Sequence, residues 1–124
     1  MNAGEVPRGA WIKFFDEFSK ERQGWIATVE VIGQDIGDQE EAAGLPLVGI
    51  SADLKAGENR IDVAVGTRPD AHMTHIIDKP QIVELKPAEE PGHEAIEVRS
   101  EDGTITLLTF RHIMPEMAER QLPR

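Results

Sequence analysis

The sequence predicts an α+β fold: an N-terminal amphipathic helix packed on a strongly curved, mostly antiparallel sheet of six or seven strands, or on a partly open barrel. Three observations carry this. Apolar residues recur at helical spacing once, near the N-terminus. After Gly24 the period drops from 3.6 to 2 and stays there. Glycines, prolines and acidic turn residues then separate the alternating segments at hairpin spacing. The chain has 124 residues, and a single domain spanning 1–124 is expected. A chain of this size buries about two-thirds of its unfolded surface and needs no crosslink to fold.

The helix is expected over about 10–23, in "AWIKFFDEFSKERQG". Trp11, Phe14, Phe15 and Phe18 fall at i, i+3, i+4 and i+7, while Lys13, Asp16, Glu17, Lys20 and Glu21 take the other faces. Gly24 can supply the left-handed residue that ends it. Five of the six aromatic residues lie between Trp11 and Trp25. Such a cluster can serve as a ligand box or a base-stacking platform, but its spacing is the one that docking on a sheet requires. Burial is therefore the expectation.

Strands are expected at about 25–32, 46–54, 60–66, 72–77, 80–86, 94–100 and 104–111. "WIATVEVI" alternates Trp25, Ala27, Val29 and Val31 on one face. "LPLVGISADL" and "RIDVAVG" are joined by "KAGEN", whose glycine suits a hairpin turn. "PQIVELK" opens on Pro80, at a strand start where proline is tolerated. In "EAIEVRSEDGTITLLTF" the pair Asp102-Gly103 predicts a two-residue type I′ turn. That turn sets Val98 opposite Leu107 and Ile96 opposite Thr109, with apolar residues on both faces of the hairpin. "GQDIGDQEEAAGLP" (33–46) reads as an acidic loop with a short helical turn at "DQEEAAG", "PAEEPGHE" (87–94) as an acidic connection, and Pro115 to Arg120 as a further helical turn or a frayed end.

Composition excludes several kinds of chemistry. There is no cysteine, so disulfide frameworks, thiolate metal sites and cysteine nucleophiles are ruled out together. No apolar run approaches the roughly 20 residues of a membrane helix, and the start "MNAGEVPRGAW" lacks the pattern of a secretory signal. A soluble, cytoplasmic protein without membrane attachment is the expectation. Acidic residues outnumber basic ones 23 to 13, a net charge of −10. That field repels phosphate backbones and argues against nucleic acid.

The segment "RPDAHMTHIIDKP" (68–80) poses the one open chemical question. His72 and His75 stand three apart. On a helix, which Asp70 could cap, they would share a side; on a strand they point to opposite faces and cannot bind one ion. Thr74, Ile76 and Ile77 are β-branched, and Pro69 and Pro80 bracket the segment, which favours a strand. A catalytic zinc usually takes three protein ligands, and the spacing does not choose a third among His93, His112, Asp70 and Asp78. The acidic stretch after Gly33 fails the calcium-loop pattern, since Asp35, Gly37 and Gln39 fall at its alternate positions. No phosphate-binding glycine motif is present, nor a G-x-S-x-G elbow. Accordingly, no catalytic, cofactor-binding or metal-ligating residue is assigned, and no cofactor is expected.

The segments "WIKFFDEFSKERQGWIATVEVIGQDIG", "LPLVGISAD", "HIIDKPQIVEL" and "SEDGTITLLTFR" together resemble a bacterial family, domain-of-unknown-function family 5335. The resemblance runs over nearly the whole chain. It implies that the helix-plus-strands unit recurs as a free-standing bacterial protein, and it assigns no activity to any position. The reading that results is a non-enzymatic binding or protein-interaction domain, with a homodimer or another protein as partner. A metal-dependent enzyme using His72 and His75 is the first alternative. The second is a small-molecule-binding barrel with the helix aromatics at its mouth.

Overall fold

The computed structural model describes residues 4–33, 37–57, 59–68, 71–86 and 90–112. Among these the architecture is α+β, with one α-helix, two 3-10 turns and eight strands. In chain order they are β1 (Glu5–Val6), α1 (Trp11–Glu21), β2 (Ile26–Gly33), β3 (Gly37–Asp53), β4 (Arg60–Arg68), β5 (Ala71–Asp78), β6 (Pro80–Lys86), β7 (His93–Ser100) and β8 (Ile105–Arg111). The expected turn from Pro115 to Arg120 lies outside the described residues. None of the described helices is long and apolar enough to cross a membrane.

α1 buries Trp11, Phe15 and Phe18 and keeps Phe14 partly covered beside them. The rings meet edge-on, Phe14 against Phe15 at 5.1 Å and Phe18 against Phe110 at 5.0 Å, the arrangement that aligns a ring edge with a neighbour's π face. The buried indole is satisfied, because Trp11 Nε1 donates to the Val6 carbonyl at 2.8 Å. The helix ends at Glu21. Gly24 does take the left-handed conformation (φ +85°), and its N–H donates to the Leu47 carbonyl at 2.9 Å.

The sheet runs β1-β6-β7-β8-β2-β3-β4-β5. Every neighbouring pair is antiparallel. It has eight strands, not the six or seven expected, and it does not close into a barrel. The additional strand, β1, has two residues, too few to leave a period in the sequence.

β3 corrects the reading of 33–46 as a loop. Its seventeen residues begin at Gly37, and Gln39, Glu40 and Ala42 pair with Val31, Glu30 and Val29 of β2. Glycines and carboxylates have poor strand propensity, but the ladder to a β-branched partner overrides it. Register shifts fall between Ala27 and Val29 and between Val29 and Glu30, and the Gly44 N–H exposed there is taken up by Thr28 Oγ1 at 3.2 Å. β3 then changes partner. Up to Pro46 it pairs with β2, and from Leu47 it pairs with β4.

The free side of β3 beyond that change is covered by α1. Ser19 Oγ accepts from the Ile50 N–H at 2.8 Å and donates to the Ile50 carbonyl at 3.1 Å. One hydroxyl thus replaces the missing neighbouring strand at Ile50.

The β7–β8 turn also differs from expectation. Gly103 N donates to the Ser100 carbonyl at 3.0 Å, and Ser100 N to the Thr104 carbonyl at 2.8 Å. The loop is therefore three residues, Glu101-Asp102-Gly103, with Gly103 at φ +89°, the type I turn plus left-handed glycine. Asp102 Oδ1 accepts from the Thr104 N–H at 2.9 Å, and this bond holds the carboxyl below its usual range. One extra loop residue moves the register by one, so that Val98 faces Thr106 and Ile96 faces Leu108. Ile96, Val98, Thr106, Leu108 and Phe110 are then all buried on one face, not divided between two.

β2 lies between β3 and β8, with Ile26 opposite Arg111 and Ala27 opposite Phe110. A single cluster gathers the α1 rings with Ala27, Val29, Ile50, Val63, Val83, Ile96, Val98 and Phe110. Between β5 and β6 the chain turns on Lys79 alone, at φ +49°. Its N–H donates to the Asn59 carbonyl and its carbonyl accepts from Glu101 N–H, both at 2.9 Å.

Candidate functional site

The histidine pair lies on β5. His72 stands opposite Gly66 and His75 opposite Val63; the odd separation sends the two imidazoles to opposite faces of the sheet. His75 is on the side of Val63 and Ile77, both buried. Burial pushes its pKa below the ordinary value, with the negative charge of Glu41 opposing. His93 lies 3.8 Å from Glu90, and His112 stacks on Trp25 at 4.9 Å. Asp70 and Asp35 fall outside the described residues. Among the described residues, no three His, Asp or Glu side chains are disposed to hold one metal ion.

A cleft of about 500 Å³ opens on the solvent side of the sheet. Its floor is one cross-strand row, in which Ala95 faces Thr109 and Thr109 faces Thr28. Lys86, His93 and Glu94 stand around it. α1 contributes no wall, so the aromatic rings considered as a barrel-mouth ligand site pack into the core instead.

Beside this cleft sits an ion pair that sequence reading missed. Arg22 Nε donates to Glu94 Oε1, and Arg22 Nη2 to Glu94 Oε2 at 3.1 Å. The guanidinium covers the Phe18 ring at 4.1 Å and the Trp25 ring at 5.5 Å. The Glu94 hydrogen bond is the main reason its pKa is raised. Arg22 Nη1 also donates to Glu21 Oε1 at 3.0 Å, and the two bonds to Glu94 make the pair a strut from the end of α1 to β7. The partners are 72 residues apart, so no local pattern announces them. On the outer side of β4, Arg60 Nε and Asp62 Oδ1 form a second shielded pair at 3.4 Å, without an aligned hydrogen bond.

The carboxylates also form a pattern visible only in register. Glu5, Glu84, Glu97, Leu107, Glu30 and Glu40 lie opposite one another in a row across six strands. Lys86 Nζ meets Glu84 at 2.8 Å and Arg99 Nε meets Glu97 at 3.0 Å, which offsets part of the like-charge repulsion that facing carboxylates create.

The remaining feature is the edge of the sheet. β5 ends the strand order, and among the described residues no strand pairs with its second side. It is eight residues long and contains neither proline nor lysine. It carries two exposed large apolar side chains, Met73 (42 % exposed) and Ile76 (53 %), one on each face. The opposite edge, β1, is two residues long and is followed by Pro7. Short length, proline and charge are the usual guards against edge pairing, and β5 lacks them between Ala71 and Ile77.

A family model described as a family of unknown function, DUF5335, matches residues 2–119. An uncharacterized protein of Aquifex aeolicus (strain VF5) is 32% identical over 116 residues, covering 93% of this chain and 97% of that one. No solved structure matches. With the match running through the helix and the whole sheet, the chain belongs to the family of unknown function DUF5335.

Proposed function

We propose that this protein is a non-enzymatic interaction domain that binds a protein partner by strand addition at β5. The observation that carries the reading is the unguarded eight-residue edge, with Met73 and Ile76 exposed on it. An open edge offers a row of backbone donors and acceptors to an extended partner, and alternating side chains then add selectivity. The other polar clusters have internal partners: Arg22 holds Glu94, and Lys86 and Arg99 hold the acidic row.

Amide hydrogen exchange over 71–78 tests this. In the partnered state the edge-facing amides of β5 exchange more slowly than in dilute isolated protein, and Ile76→Lys abolishes the difference. The proposal fails if the protein is a monomer at high concentration, retains no partner in pulldowns, and shows the same β5 exchange under all conditions.

A further inference from the structure

We infer that the occupant of the β5 edge is a second copy of this chain, paired antiparallel about a two-fold axis through His75. This rests on the strand-addition reading above and specifies its partner and register. Along an antiparallel strand, successive residues aim their N–H and C=O groups alternately at the two neighbours. On β5, every second residue therefore faces β4 and the others face the free edge. Two copies can align only residues of the same kind, so the numbers of each facing pair sum to an even value. The axis must then pass through a residue and never between two.

For a strand running Ala71–Asp78, an axis at Thr74 or at His75 gives the longest overlap. The two are not equivalent. An axis at Thr74 sets His72 against Ile76. An axis at His75 sets His72 against Asp78 and repeats that contact by symmetry, with Thr74 against Ile76 and Met73 against Ile77. In this register each exposed apolar residue gains cover from the other copy, Ile76 beside a threonine methyl and Met73 beside Ile77. Each copy's His72 also meets the other copy's Asp78 carboxylate. His75 faces its own counterpart, on the side shared with Val63. Two copies that each carry a net charge of −10 repel at long range, so the match at His72 and Asp78 is what favours this register over its competitor.

The complete absence of cysteine makes the register directly readable. Directly opposed residues of an antiparallel pair have Cα atoms about 4.5–5.5 Å apart, inside the range of about 4.4–6.8 Å that a disulfide spans. With the axis at His75, position 74 meets its own copy only on the diagonal, at about 8 Å, beyond that range. Under mild oxidation His75→Cys is expected to give a covalent dimer in high yield, and Thr74→Cys little or none.

A second set of variants uses exposed positions and does not depend on the half-buried His75. By sedimentation velocity, His72→Glu weakens the dimer at least tenfold, and adding Asp78→Lys restores it. Preferential linking through Thr74→Cys, or no response to the charge exchange in a stable dimer, overturns the register. If the protein is a monomer at all concentrations but a different partner protects β5, the homodimer falls and the strand-addition reading stands. If β5 gains no protection from any source, both fall.

Discussion

Replacing Ser19 by alanine opposes two physical effects of known sign. Ser19 lies within α1, where alanine is the better helix former by about 0.5 kcal/mol. On propensity alone Ser19→Ala stabilises. Its hydroxyl, however, takes the N–H and the carbonyl of Ile50 at 2.8 and 3.1 Å, in a part-buried position where β3 has left β2. Leaving a buried backbone group unsatisfied costs about 1–3 kcal/mol. With two groups affected and some access for water, a cost of about 2.5 kcal/mol is expected, or about 2 kcal/mol net of the propensity gain. For a chain of this size the melting entropy is about 0.26 kcal/mol/K, so the change lowers Tm by roughly 8 °C. Urea unfolding followed by circular dichroism gives the free energy, and Ser19→Thr, which keeps the hydroxyl, should lose less than half as much. A neutral or stabilised Ser19→Ala protein would refute the idea that α1 serves as the missing neighbour of β3.

Three further outcomes are expected. Phe15→Ala removes a fully buried ring and costs about 3–5 kcal/mol; Ile12→Ala, on the face that leaves Ile12 52 % exposed, stays within about 0.5 kcal/mol, as the same urea titrations would show. Glu94→Ala leaves the partly covered Arg22 with only the exposed Glu21 carboxylate and costs about 1.5–3 kcal/mol, the range for hydrogen bonds to charged groups. For His75, burial lowers the folded pKa below the ordinary 6.5, so the folded state binds fewer protons than the unfolded one as pH falls through that value. Stability is complete above about pH 6.5 and declines below it towards the folded pKa. Unfolding curves across that window should show this slope in the native chain and a flatter one in His75→Gln.

The parts of the fold that were legible in the sequence are those whose cause is local. Trp11, Phe14, Phe15 and Phe18 fix the helix and its buried side, because period and face are one statement. The alternation Ile61, Val63, Val65 fixes β4 for the same reason. The errors arise where a distant partner decides. Gly37 to Gly44 look like a loop until β2 supplies the ladder. Asp102-Gly103 looks like a two-residue turn, yet burying Ile96, Val98, Leu108 and Phe110 on one side requires a third loop residue. The strut between Arg22 and Glu94 and the unguarded side of β5 depend on which strands become neighbours, and that information is spread along the chain.

The pairing of β2 with β8 has a consequence for synthesis. Ile26 waits for Arg111, and Ala27 for Phe110, so the ribosome delivers one side of this ladder some eighty residues before the other. Until then Phe18 lacks the ring it rests on, and the apolar face of α1 has no Phe110 to cover it. A ladder closed over so long a separation is expected to fold more slowly than one built from local contacts. The interval before β8 emerges is when chaperone engagement would matter most.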